Sequence, residues 1–136
     1  MEPIPKLKHP EKTILVVDDD PTVLTFVSGF LNGQHNVLIA KSGAEGLQCS
    51  KDFKGEIHLL LTDFQMGAMN GIELATQLTA QRPTIKVLMM SGFSEGMLVL
   101  NEGWHFLPKP FIASQLKTLI NGLIDPTSRF ASSITN

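Results

Sequence analysis

Cysteine is nearly absent from this chain of 136 residues, and its single copy, Cys49, cannot form an internal disulfide. The fold must therefore depend on an ordinary apolar core, and a reducing cytoplasm is the expected location. The chain is long enough to bury such a core within one domain. Its four histidines are scattered and lack the spacing of zinc ligands. These features exclude small folds held together by disulfides or zinc.

The chain also lacks an excess of either charge, with 13 acidic and 11 basic residues and a formal net charge of -2. It has no block of cationic residues, so neither nucleic acid nor an anionic membrane surface is an expected partner. No apolar run is long enough to span a bilayer, and no signal-peptide pattern is present.

Two apolar runs end on acidic side chains. Residues 14–17 precede the acids at 18–20, and residues 59–62 precede Asp63. Both runs are typical of buried parallel strands, and the carboxyl ends of such strands meet at one edge of an α/β sheet, where ligands bind. Crowded carboxylates repel each other, and a hard cation with oxygen ligands relieves that repulsion. The pattern therefore predicts a small acidic metal site that binds Mg²⁺.

Two further predicted strands end on residues that suit phosphate chemistry. Residues 85–90 are followed by Ser91, and residues 104–107 are followed by Pro108 and Lys109. A hydroxyl and an ammonium would thus join the carboxylates at the same edge. This combination predicts an Asp63 nucleophile for a phosphoryl group, with the metal and Lys109 neutralising charge on the transferred oxygens.

Strands alternate with amphipathic helices along the rest of the chain. This alternation predicts a doubly wound parallel α/β sheet without a repeat or a second domain. We expect a proline-containing arm at 1–11, the folded domain at 12–125 and a tail at 126–136. The helices are predicted near residues 21–32, 43–54, 71–82 and 112–124.

The chain resembles the receiver domain of two-component response regulators. The resemblance covers residues 12–124 and rests on five functional positions that occur in the order found in the family, within the segments ILVVDDD, LLLTDFQMGAMNGIEL, VLMMSG and FLPKPF: Asp18, Asp19, Asp63, Ser91 and Lys109. It implies a flavodoxin-like sheet of five parallel strands in the order 2-1-3-4-5 with five helices. It also implies transfer of a phosphoryl group from a kinase phosphohistidine to Asp63.

The resemblance assigns further roles to individual residues. The metal, Mg²⁺ or Mn²⁺, would be held by three carboxylates and one backbone carbonyl, those of Asp18, Asp19, Asp63 and Gln65. Asp19 would be the direct ligand of the acid pair and Asp18 would act through water. Ser91 and Lys109 would contact the phosphoryl group, and Gly92 would leave room for the donor. Phe106 would be the switch aromatic, and the bond from Lys109 to Pro110 would be cis.

Each of these residues also has an ordinary structural interpretation. The acids at 18–20 could begin a helix, which we predict for Asp20 because Pro21 suits a first helical turn. The other assigned residues could be turn, cap, surface or core residues, as in many proteins: Asp63, Gln65, Ser91, Phe106 and Lys109.

The chain departs from the family pattern at two places. Gly67 follows Met66 where proline is common, so the loop after Asp63 is expected to be more mobile. The segment between Ser91 and Lys109 is short by about one helical turn, so the fourth helix is predicted to be short or irregular. The surface used for dimerisation in many family members is thereby altered, and we expect a monomer or a weak dimer.

The leading hypothesis is a phosphorylation-controlled signalling module that switches its affinity for an unidentified downstream protein. It would be a single-domain regulator or the receiver of a hybrid histidine kinase, with a sensor histidine kinase or a phosphotransfer protein as donor. Its only catalysis would be its own phosphorylation and dephosphorylation. One alternative is a receiver-like scaffold that works without phosphorylation. Another is an Mg²⁺-dependent phosphohydrolase, although Gln65 stands where such enzymes carry a second acid.

Overall fold

Five strands form one parallel sheet in the order β2-β1-β3-β4-β5 in a computed structural model that describes residues 12–92 and 104–124. The strands are β1 (Thr13–Val17), β2 (Asn36–Ala40), β3 (Leu59–Asp63), β4 (Lys86–Ser91) and β5 (Trp104–Pro108). This order confirms the predicted flavodoxin-like sheet. Because every neighbouring pair is parallel, the carboxyl ends of all five strands lie at the same edge.

Four helices lie within the described residues: α1 (Pro21–Leu31), α2 (Gly43–Asp52), α3 (Gly71–Gln81) and α4 (Ala113–Ile124). The first three each connect two successive strands, and α4 follows β5. They match four of the five predicted helices to within two residues at each end. The short helix predicted between Ser91 and Lys109 falls on residues 93–103, outside the described part of the chain. The predicted arm at 1–11 and tail at 126–136 also lie outside it. None of the four helices is both long and apolar enough to cross a membrane.

The sheet lies between two helical layers, which explains the uninterrupted apolar run at residues 14–17 of the inner strand β1. Ile14 and Val16 of β1 face a layer that contains α1 and α4, whereas Leu15 and Val17 face a layer that contains α3. All four side chains are fully buried. Side chains alternate between the two faces of a strand, so both faces need apolar residues when both are covered.

Polar side chains fix where three of the helices begin. The Asp20 carboxylate accepts a hydrogen bond from the Thr22 N–H at 2.9 Å and caps α1, as predicted. Ser42 accepts from the Glu45 N–H and caps α2. Asn70 and Glu73 form a capping box at the start of α3, in which each side chain accepts from the backbone N–H of the other residue.

Arg82 joins the C-terminal ends of α2 and α3. Its guanidinium donates to the Ser50 hydroxyl at 2.7 Å and to three backbone carbonyls at 2.8–2.9 Å, those of Ser50, Phe53 and Gly55. These carbonyls lie in the last turn of α2 and just beyond it, where a helix leaves acceptors unpaired. The planar guanidinium carries several N–H donors and can bind several of these carbonyls at once.

Replacement of Arg82 by alanine should lower the free energy of unfolding by about 2–3 kcal/mol, because several acceptors would lose a charged donor. Arg82→Lys should recover only part of this, since an ammonium cannot reach the same set of acceptors. Urea denaturation measures the difference, with the exposed Lys54→Ala variant as a control. A loss of stability in Arg82→Ala no larger than in Lys54→Ala would contradict this role.

Candidate functional site

Four of the predicted site residues lie at the carboxyl edge of the sheet. Asp18 directly follows β1, Asp63 is the last residue of β3, Ser91 is the last residue of β4, and Lys109 follows β5. The backbone N–H of Lys109 donates to the Ser91 carbonyl at 2.6 Å. This bond holds the segment after β5 against the end of β4 and places Lys109 beside the acidic strand ends.

Three carboxylates converge at this edge. One oxygen each from Asp18, Asp19 and Asp63 lies within 4.8 Å of the others. Asp18 is fully buried, Asp63 is 9% exposed and Asp19 is exposed to solvent. The Asp20 N–H donates to Asp18 Oδ1 at 2.9 Å, so the turn into α1 orients the buried carboxylate.

Lys109 is the cation that faces these acids. Its Nζ lies 3.2 Å from Asp63 Oδ1 and 3.8 Å from Asp18 Oδ2. The peptide bond between Lys109 and Pro110 is cis. One ammonium faces three acidic side chains, so the group retains negative charge when all three are ionised.

The remaining predicted residues lie around the three carboxylates and Lys109 and differ in their exposure to solvent. Gln65 lies with Asp19 and Met66 in the wall of a solvent-open pocket beside the acids. Ser91 is buried, and a Cβ atom added to Gly92 would meet no atom of the described residues within 4 Å. Phe106 is half-buried and packs against the apolar layer that contains α3, as an ordinary core residue would.

The model of the response regulator receiver domain family matches residues 14–121 of the chain. The chain belongs to the response regulator receiver family. This match includes Asp18, Asp19, Asp63, Ser91 and Lys109, and the predicted family is thereby confirmed.

Similar proteins include both sensor kinases and response regulators. Sensor kinase CckA of Brucella abortus is 30% identical over 118 residues, which are 83% of this chain but 12% of that kinase. Response regulator protein VraR of Staphylococcus aureus is 35% identical over 83 residues, 60% of this chain and 40% of that protein. The chain thus spans less than half the length of both relatives. The crystal structure of the receiver domain of hybrid histidine kinase CckA superimposes with a TM-score of 0.74 at 27% identity, covering 83% of this chain and 99% of that one.

Receiver domains generally bind Mg²⁺ in an acidic pocket, and the acids of this receiver fit such an ion. Asp18 Oδ2 is buried and accepts no hydrogen bond from any residue that the structure describes. A buried anionic oxygen without a donor is costly unless a cation lies near it, and Lys109 at 3.8 Å is the only cation recorded beside it among the described residues. Carboxylate oxygens are the donors that Mg²⁺ prefers. This receiver therefore has an acid cluster that could hold a divalent cation.

Burial and crowding raise the proton affinity of these acids. Burial, together with the neighbouring Asp63 charge, raises the pKa of Asp18 from 3.8 to about 6, against the lowering effect of the Asp20 N–H and Lys109. Burial also raises the pKa of Asp63, and Lys109 opposes this by attraction and by its hydrogen bond. Lys109 thus favours the ionised form of Asp63.

Two contacts that support the site were not predicted from the sequence. The capping box of Asn70 and Glu73 fixes the start of α3, and its spacing of asparagine followed three residues later by glutamate could have indicated it. A Cβ atom at Gly71 would lie 2.5 Å from the carbonyl oxygen of Asp63. A single sequence gives no signal for this close approach of α3 to the backbone of Asp63.

Asp18→Asn should stabilise this receiver in the absence of divalent cations. Because the folded-state pKa of Asp18 is raised from 3.8 to about 6, its ionised form opposes folding above that range, and the cost disappears as pH falls. In EDTA at neutral pH, the variant should gain about 1–3 kcal/mol of unfolding free energy, since the amide retains an oxygen for the Asp20 N–H. The gain should decrease as the pH falls below about 6 and should be nearly gone at about pH 3.5, below the unfolded pKa of 3.8.

Urea denaturation at the two pH values measures this difference. Asp52→Asn, on the exposed end of α2, serves as the charge-matched control. Destabilisation of Asp18→Asn in EDTA at neutral pH would show that ionised Asp18 contributes to folding and would contradict the electrostatic interpretation.

Proposed function

We propose that this receiver accepts a phosphoryl group on Asp63 from the phosphohistidine of a sensor histidine kinase or a phosphotransfer protein. The observation that carries the proposal is the 3.2 Å contact between Lys109 Nζ and Asp63 Oδ1 within a cluster of three carboxylates. An ionised Asp63 oxygen attacks phosphorus, so that an O–P bond forms while the P–N bond to the donor histidine breaks. The electron pair of the broken bond returns to the imidazole.

The neighbouring residues stabilise the charge that this transfer brings to the site. Lys109, already within reach of Asp63, pairs with an oxygen of the transferred group. Asp18, Asp19, Asp63 and the Gln65 carbonyl would hold Mg²⁺, or Mn²⁺ in its place. The bound ion would supply positive charge opposite the phosphoryl oxygens. Ser91, buried at the end of β4, would donate its hydroxyl to the product.

The proposed output is a change in partner affinity. As the Ser91 hydroxyl moves toward the phosphoryl group, the half-buried Phe106 ring turns further inward. The surface around Gly92 and residues 104–111 then presents a different shape to a downstream protein. The similarity to both a sensor kinase and a response regulator supports two settings for this module, a hybrid kinase and a separate regulator.

The scaffold and hydrolase alternatives are less well supported. A receiver-like scaffold has no need of the acids and Lys109 together, and here they are in contact. A phosphohydrolase would use a second acid two residues after the nucleophile, where this chain has Gln65 with an exposed side chain.

Incubation with a small-molecule phosphodonor and Mg²⁺ should add one phosphoryl group to the parent protein. The mass increase should be lost in Asp63→Asn and in EDTA, because the nucleophile and the cation are both required. Asp20→Asn is the matched control, since asparagine also caps a helix and the same charge is removed nearby. Intact mass under conditions that preserve acyl phosphates measures the product. Equal phosphorylation of Asp63→Asn and the parent would refute Asp63 as the acceptor.

Lys109→Ala should slow phosphorylation by the same donor by about 100-fold, because one preorganised cation is lost from the site. Lys41→Ala, on the exposed turn before α2, should react at the parent rate. The time course of the phosphoryl adduct measures both rates. An unchanged rate in Lys109→Ala would contradict the role given to this ammonium.

A further inference from the structure

The loop after Asp63 contains two methionines that pack against the body of the domain. Met66 and Met69 are both half-buried, and both pack against the apolar layer that contains α3. Gly67 and Ala68 lie between them, so no proline ring restricts the backbone there. The anchoring of this loop therefore depends in part on its two thioether side chains.

Met69 fits tightly against α2. A Cβ atom added to Gly43, the first residue of α2, would lie 2.6 Å from Met69 Sδ and 3.0 Å from its Cβ and Cγ. The Met69 sulfur thus fills the space that even a methyl side chain at position 43 would need. Any atom added to Met69 on this side would push the loop away from α2.

Each sulfur also faces a polar donor. Gln77 Nε2 lies 3.9 Å from Met69 Sδ, and Thr62 Oγ1 lies 4.0 Å from Met66 Sδ. A thioether is a weak acceptor, whereas a sulfoxide oxygen is a strong one. A sulfoxide would therefore exchange apolar contacts of the loop for a hydrogen bond to the nearby donor.

The two methionines differ in accessibility from those in the sheet. Met66 lies in the wall of the solvent-open pocket that also contains Asp19 and Gln65. Met89 and Met90 of β4 are fully buried. Susceptibility to oxidation follows exposure, so a small oxidant would reach the loop methionines before those of the sheet.

We propose that Met66 and Met69 form an oxidation site through which peroxide lowers the ability of Asp63 to be phosphorylated. Hydrogen peroxide transfers one oxygen atom to the sulfur. The O–O bond breaks, the S–O bond forms, the thioether is oxidised to a sulfoxide, and the peroxide is reduced to water. The functional effect rests on the proposed function of Asp63, whereas the oxidation and its structural effect do not.

Oxidation would act on Asp63 through the backbone. The added oxygen makes each side chain polar, so it leaves the apolar layer, and Met69 loses its contact with Gly43. Gln65, whose carbonyl would face the metal, directly precedes Met66. Displacement of the loop would thus weaken the cation site and slow phosphoryl transfer without any change to the acids or Lys109.

The test treats the native protein with hydrogen peroxide and follows each methionine by peptide mapping. Met66 and Met69 should be oxidised before Met89 and Met90. The melting temperature in EDTA should fall by about 5 °C, and phosphorylation by a small-molecule donor should slow by about fivefold. Methionine sulfoxide reductases with a dithiol should restore both values.

The double variant Met66→Leu/Met69→Leu is the matched control, because leucine conserves volume and cannot be oxidised. Treated with peroxide, it should retain its melting temperature and its phosphorylation rate, although its other methionines remain. Oxidation of Met66 and Met69 that changes neither the melting temperature nor the phosphorylation rate would overturn the proposal. Oxidation of Met89 and Met90 before Met66 and Met69 would also overturn it. If the untreated parent takes up no phosphoryl group, the proposed function fails, while mapping and melting still test the oxidation site.

Discussion

The repulsion among three carboxylates at one edge of the sheet is the interaction on which the rest of the site depends. Asp18 and Asp63 are almost completely buried, and only Lys109 approaches them as a cation among the described residues. Burial raises the pKa of both acids, so the fold maintains them at a cost to its own stability. A site of this kind gains most from ligands that bring positive charge, and it is sensitive to any change in that charge.

The fold forces these charges together through its parallel sheet. Strands buried on both faces must be apolar along their length, so acidic side chains can follow them only where they end. All five strands end at one edge, and the N–H of Lys109 ties the segment after β5 to Ser91. Gly71 lets α3 approach the backbone of Asp63. The apolar core thus supplies a rigid frame that keeps like charges close, as preorganised electrostatic sites require.

Apolar runs that end on polar residues were sufficient to predict a parallel sheet and the residues at its carboxyl edge. The strand order was implied by the resemblance to receiver domains. The cap at Asp20 was predicted because Pro21 restricts where α1 can begin. The bonds of Arg82 to α2 and the fit of Met69 against Gly43 were not predicted. They join residues far apart in the chain, and a single sequence does not indicate which residues an arginine or a methionine contacts. Phe106 is equally ambiguous, because a half-buried phenyl ring suits either a core residue or a switch.

The most direct test of the central claim is an amide NMR spectrum recorded with Mg²⁺, with beryllofluoride, and with both. Beryllofluoride mimics a phosphoryl group on a carboxylate and avoids the need for a donor protein. We predict that Mg²⁺ alone shifts the amide of Asp19, whereas large shifts at Phe64, Gly92 and Lys109 require both additives. The response to beryllofluoride should be absent in Asp63→Asn. Spectra that stay unchanged with both additives, or the same shifts in Asp63→Asn, would contradict the assignment of this acidic edge as a phosphoryl site.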